Sequence, residues 1–136
     1  MGVNISCGKL GMDMSYGTFD RFRVKIAKSL NKNFGDTYES WMFSFGKSED
    51  ELHKLDKDFE SICNSTDDLT NELFNFFIAP DCEGEIDKNT SKQLLPLIKN
   101  LDDFTLGYIG TCPYKKDFVV KFFEHSVRYN AKIRWS

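Results

Sequence analysis

The sequence predicts a mainly helical α+β fold, with five or six helices around a phenylalanine-rich core and a minor two-stranded element joining the termini. Three observations carry that expectation. Apolar residues recur at helical spacing in successive segments. Thirteen of the 136 residues are Phe, and each contributes about 1.5–3 kcal/mol when fully buried. The two ends alternate apolar and polar residues as short strands do. One domain, residues 1–136, is expected, because a chain of this length buries about two thirds of its unfolded surface and folds without a disulfide or metal.

The elements follow in order. Val3, Ile5 and Cys7 alternate as a first strand. A helix runs from about Thr18 to Lys32, capped by Ser15 or Thr18, with Phe19, Phe22, Ile26 and Leu30 inward; Asn33 and Gly35 offer its stop. Asp36 to Glu39 reads as a capping box for a second helix carrying Tyr38, Trp41, Met42 and Phe45 as far as Gly46, with a strand as the alternative. Ser48 and Glu51 form another box, opening a helix with Leu52, Leu55, Phe59, Ile62 and Cys63 inward. Thr66 caps a fourth helix with Leu69, Leu73, Phe76 and Phe77, which must end near Pro80. After the loop 81–87 a fifth helix spans about Lys88 to Leu101, with Pro96 removing one backbone donor. Residues 102–114 form a loop. The last helix spans about Tyr114 to Tyr129, ends at Asn130, and leads into a closing strand from Ala131 to Trp135.

Charge is segregated along the chain. Residues 1–35 hold six basic residues against two acids, a net +4; residues 36–103 hold six against 17, a net −11; residues 104–136 again hold six against two, +4, giving −3 in all. Strands pairing at the ends would bring the two basic ends together, and a shared basic face attracts anions. The plain alternative is that the charges solvate separate surfaces and cancel pairwise.

No apolar run approaches the roughly 18 residues of a membrane span, and the N-terminus lacks the layout of a secretion signal. Cys7, Cys63, Cys82 and Cys112 are widely spaced, which suits free thiols in a cytoplasmic protein. Met1 to Ser6 matches the acylation pattern, a motif short enough to recur by chance.

Arg23 falls inside the apolar sector of the first helix, whereas Arg21, Lys25, Lys28 and Lys32 form the outer stripe. An Arg so placed snorkels to the helix edge, pairs with a core carboxylate, or is held for a bidentate contact with a phosphate or carboxylate of a ligand. His125 sits between Phe118, Phe122 and Tyr129 on the last helix, as a hydrogen-bonded core residue or as a ligand or base. Asp81, Glu83, Gly84, Ile86 and Asp87 match the centre of a calcium loop, but positions one and twelve would be Ala79 and Thr90, so the closing bidentate acid is missing. The alternative is structural: Gly84 turns, Ile86 docks on the core and Asp87 caps the next helix. No phosphate-cradling loop, nucleophile elbow or zinc spacing occurs. No metal or cofactor is therefore expected.

Met12, Asp13, Met14, Ser15 and Tyr16 followed by Phe19, Phe22 and Arg23, then Asp81 to Ile86, and finally Lys132, Ile133, Arg134 and Trp135 resemble a loose group of small uncharacterised proteins of phages and bacterial genomes. The resemblance touches about a quarter of the chain. It implies a cytosolic accessory protein of a phage or mobile element; such proteins often bind and disable a host component.

The leading functional expectation is a non-enzymatic binding protein, a counter-defence or host-takeover factor. Its ligand would be an anionic small molecule such as a nucleotide-type signal, or an acidic surface on a host protein. Tyr16, Arg21, Arg23, His125, Arg128, Arg134 and Trp135 would form the site, with charge and stacking surface as its means. No membrane partner is expected, nucleic acid is disfavoured, and homo-oligomerisation is left open. Two alternatives stand beside it: a protein–protein inhibitor acting through the acidic middle, by nucleic-acid mimicry or on a basic partner, and a small enzyme using His125.

Overall fold

The computed structural model describes residues 2–108 and 113–136. Met1 of the acylation pattern, together with Gly110 and Cys112, lies outside the described residues. Among those described there are six helices and six short strands: β1 Val3–Cys7, β2 Leu10–Met14, α1 Tyr16–Leu30, α2 Lys32–Met42, α3 Glu49–Ser65, α4 Asn71–Ile78, β3 Gly84–Ile86, α5 Lys88–Lys99, β4 Thr105–Leu106, β5 Tyr114–Lys115, α6 Lys116–Tyr129 and β6 Ile133–Trp135.

The termini pair as expected, with Ile5 opposite Trp135 and Cys7 opposite Ile133 in an antiparallel ladder. The element they belong to is larger than two strands. β2 adds to the outer side of β1, and β3 adds to β6, giving a four-stranded antiparallel sheet in the order β2-β1-β6-β3. Gly8, at φ +60°, turns the chain from β1 into β2, a conformation that glycine adopts without a Cβ clash. Val3, Ile5, Cys7, Met12, Met14, Ile86, Ile133 and Trp135 are buried from this sheet, so every second residue faces the core. The expected loop 102–114 contains a second small ladder, β4 with β5.

Side-chain caps set most helix starts. Ser15 accepts from the Thr18 N–H, Asn31 from Phe34, Ser48 from Glu51, Thr70 from Leu73 and Asp87 from Thr90. Two of these correct the sequence expectation. α2 begins at Lys32 under Asn31, not at Asp36, and Gly35 is a helical residue rather than a stop. A Cβ on Gly35 would collide with the Lys28 backbone, so the glycine is what lets α1 and α2 pack closely. α4 starts under Thr70, because the Thr66 hydroxyl instead donates to the Ile62 carbonyl at the end of α3, 2.6 Å away. Asn130, at φ 51°, ends α6 in the left-handed region.

Aromatic rings cluster within the core. Trp135 packs on Phe19 and Phe76, with ring centroids 5.5 and 6.1 Å away. Phe34, Tyr38 and Phe77 form a second cluster, which continues through Tyr38 to Trp41 and Phe59, the latter two stacked at 4.2 Å. α1 lies against α2 and α5, α5 against α6 and α4, and α3 chiefly against α2.

Candidate functional site

Part of the segregated charge is folded against its opposite. Because α2 turns back on α1 at Asn31, Lys28 of the basic outer stripe of α1 meets acids of α2, and Lys32, at the start of α2, pairs within that helix. Lys28 donates to Glu39 at 2.9 Å and lies 3.7 Å from Asp36, while Lys32 reaches Asp36 at 2.8 Å. The Glu39 hydrogen bond raises the Lys28 pKa, and the Lys32 hydrogen bond lowers that of Asp36. At the other end, pairing of β3 with β6 sets Glu85 opposite Arg134, which donates to it at 3.2 Å; Lys132 lies 3.8 Å from the same carboxylate.

The seven residues expected to bind an anion are distributed as follows. Arg23 is only 3 % exposed. Its Nη1 donates to the carbonyls of Phe76, Phe77 and Ala79, at 3.1, 3.3 and 2.6 Å, and its Nη2 donates to Asp20 at 3.0 Å. The guanidinium thereby caps the C-terminal end of α4, where carbonyls lack helical donors. Trp135 is buried, and its indole N–H donates to the Pro80 carbonyl at 2.9 Å. Arg134 borders, with Trp135, a shallow cavity of about 510 Å³ that Glu83 and Glu85 also line. Arg21 and Arg128 are exposed and Tyr16 is half-buried. The Arg128 guanidinium lies 5.3 Å over the Tyr129 ring, and half-buried His125 lies 4.7 Å from the same ring, beside the Gly8 turn.

The acidic loop is occupied by structure. Glu85 is committed to Arg134 and Lys132, the Asp87 side chain caps α5, and Ile86 is buried. A Cβ on Gly84 would meet the Trp135 indole. Among the described residues no group of three or more His, Cys, Asp or Glu side chains is placed to hold a metal ion. No helix among them is long and apolar enough to cross a membrane. Cys63 borders a cavity of about 330 Å³ with Phe59, Leu69 and Phe74, and burial pushes its thiol up to about 11. A thiol so raised is protonated near neutrality and weakly nucleophilic.

The acids of residues 49–72 are another matter. Glu49, Asp50, Glu51, Asp56, Asp58, Glu60, Asp67, Asp68 and Glu72 are all exposed, against two lysines, Lys54 and Lys57. Of these nine only Glu51 forms an ion pair among the described residues, with Lys47 at 3.8 Å. At 100° per residue, Glu49, Asp56 and Glu60 flank one edge of the α3 stripe Leu52, Leu55 and Phe59, and Glu51 and Asp58 flank the other. Only Phe59 of that stripe is buried; Leu52 is 37 % exposed. Phe45, in the link between α2 and α3, is 86 % exposed.

A further acid pair was not anticipated from the sequence. Asp20 and Asp81 line one cavity with Arg23, and Asp81 adds to the rise that burial gives the Asp20 pKa. The visible clue was the Asp20 to Arg23 spacing, which places the two on one face of α1. Asp81 could be placed there only by the fold.

Compared with known proteins, the chain matches no family model, no curated protein and no solved structure.

Proposed function

We propose that the protein is a non-enzymatic protein-binding module that occupies a basic surface of a partner through its acidic middle. The observation that carries this reading is the set of nine exposed carboxylates over residues 49–72, eight of them without an ion pair among the described residues and five of them flanking a partly uncovered apolar stripe on α3. Aligned like charges on a surface raise the encounter rate with an oppositely charged partner and suppress wrong ones. Apolar side chains between them supply the area that fixes a docked pose. The anion-binding reading draws less support, since Arg23, Arg134 and Trp135 are engaged within the fold. An accessory protein of a phage or mobile element that blocks a basic host surface is the setting in which we place it.

The test separates local charge from net charge. One variant replaces Glu49, Asp50, Asp58 and Glu60 by their amides; a second replaces Glu83, Asp102, Asp103 and Glu124, which are equally exposed. Both raise net charge by the same amount. Binding of a labelled amphipathic lysine–leucine peptide, followed by anisotropy, should weaken about tenfold or more in the first variant and little in the second. Equal losses would reduce the effect to net charge and overturn the reading.

A further inference from the structure

Between α1, the end of α2 and the end of α4 lies a cavity of about 420 Å³. Its polar end holds Asp20 and Asp81; Trp41, Phe45, Ile78 and Pro80 line the rest. Ile78 is 41 % exposed and Phe45 86 %, so apolar surface is left open at its mouth. Asp20 has the Arg23 guanidinium, but Asp81 has no cationic partner among the described residues. Arg23 has little to offer Asp81, because its Nη1 is committed to three carbonyls and its Nη2 to Asp20. Its Nε is fully buried and has no acceptor.

The cavity thus combines one uncompensated carboxylate with an apolar and aromatic lining. An anion is repelled by Asp20 and Asp81, and a purely apolar group leaves them unanswered. A long side chain with a cationic tip suits both ends, its methylene stem lying on the apolar wall while the head reaches the carboxylates. We propose that this cavity is the anchoring pocket for a lysine or arginine side chain of the partner, with Asp81 and Asp20 receiving the cation. The inference rests on the reading of the acidic middle as a site for a basic partner, and gives that partner its fixed point. Buried charged anchors of this kind dominate many interfaces, while the surrounding charges steer.

The test uses N-acetyl-arginine N-methylamide, with the citrulline analogue as an uncharged control of nearly the same shape, in nitrogen–proton NMR titrations of the full chain. The arginine compound should give saturable shifts at Phe45, Ile78 and Asp81, and the citrulline compound none. Asp81→Asn should weaken the arginine compound about tenfold or more; Phe45→Ala, at an exposed position, should weaken it without loss of fold. No saturation at tens of millimolar, equal binding of citrulline, or indifference to Asp81→Asn would each overturn the proposal. The variant with amides at Glu49, Asp50, Asp58 and Glu60 should still bind the arginine compound. If that variant also keeps full affinity for the lysine–leucine peptide, the acidic-surface reading fails while the pocket stands. If the peptide depends on those acids but the arginine compound does not bind, the pocket fails alone.

Discussion

Arg23 on α1 donates to the carbonyl of Ala79, 56 residues further along the chain, at 2.6 Å. With the carbonyls of Phe76 and Phe77 and the carboxylate of Asp20, this contact makes one side chain the clasp between α1 and the end of α4. The guanidinium is 3 % exposed and stands 4.9 Å over the Phe19 ring.

Removing it should therefore be expensive. Arg23→Ala leaves Asp20 without its cation and three carbonyls short of a donor, and should lower stability by about 3–5 kcal/mol. Arg23→Lys keeps the charge but loses the planar fork that serves several acceptors at once, so it should fall between the two. Urea denaturation of the three proteins checks this. A melting temperature unchanged by Arg23→Ala would mean the clasp is not structural.

Tyr38 shares the same anchor. Its hydroxyl donates to the Phe77 carbonyl at 2.7 Å from a fully buried position. Tyr38→Phe should cost about 1 kcal/mol, and less than additively with Arg23→Ala is not expected: both changes deprive one carbonyl, so the double variant should lose more than the sum. Burial raises the phenol pKa above its ordinary value of 10.0. In an absorbance titration Tyr38 should stay un-ionised until the protein unfolds.

Asp20 makes stability depend on acid in an uncommon direction. Burial pushes its carboxyl above the ordinary 3.8, Arg23 opposes the shift, and neighbouring Asp81 adds to it. The folded state then holds a proton that the unfolded chain has released, so this group's contribution falls as pH rises from about the ordinary value through the raised one. Asp81→Asn should bring the Asp20 titration down and flatten that fall. Carboxyl carbon NMR reads the titration directly; an Asp20 midpoint unmoved by Asp81→Asn would contradict the pairing.

Calcium should find no purchase on residues 81–87. Glu85 is held by Arg134 and Lys132, and the Asp87 side chain accepts from the Thr90 backbone N–H at 2.9 Å. Calorimetry should detect no binding tighter than about 10⁻⁵ M. A tighter site would require the β3–β6 ladder to open.

Local chemistry made much of this fold legible. The Ser48–Glu51 box, the Asn130 stop and the alternating ends all act within a few residues, and each is realised. What the sequence concealed depends on distant partners. Gly35 reads as a helix stop, yet the close approach of Lys28 holds it in α2. Asp36 reads as a cap, yet its carboxylate is taken by Lys32. β3 has three residues and becomes a strand only because β6 lies beside it. β2 did carry a signal, since Leu10, Met12 and Met14 alternate, but Gly11 and Asp13 between them are poor strand formers. For the site, the position of Arg23 on the apolar face of α1 was readable, but its acceptors, 53 to 56 residues away, were not. The charge blocks along the chain were plain; only the fold pairs Lys28 with acids of α2 and Arg134 with Glu85 of β3, and leaves the acids of α3 other than Glu51 without an ion pair among the described residues.

The most direct measurement of the central claim is a pair of NMR titrations of the full chain, one with the lysine–leucine peptide and one with a nucleoside triphosphate. With the peptide, shifts should gather on residues 49–60 of α3 and around Phe45, and should fade as salt rises; the nucleotide should move nothing to saturation. Saturable shifts at Arg21, His125 and Arg128 with the nucleotide, and none on α3 with the peptide, would contradict the account.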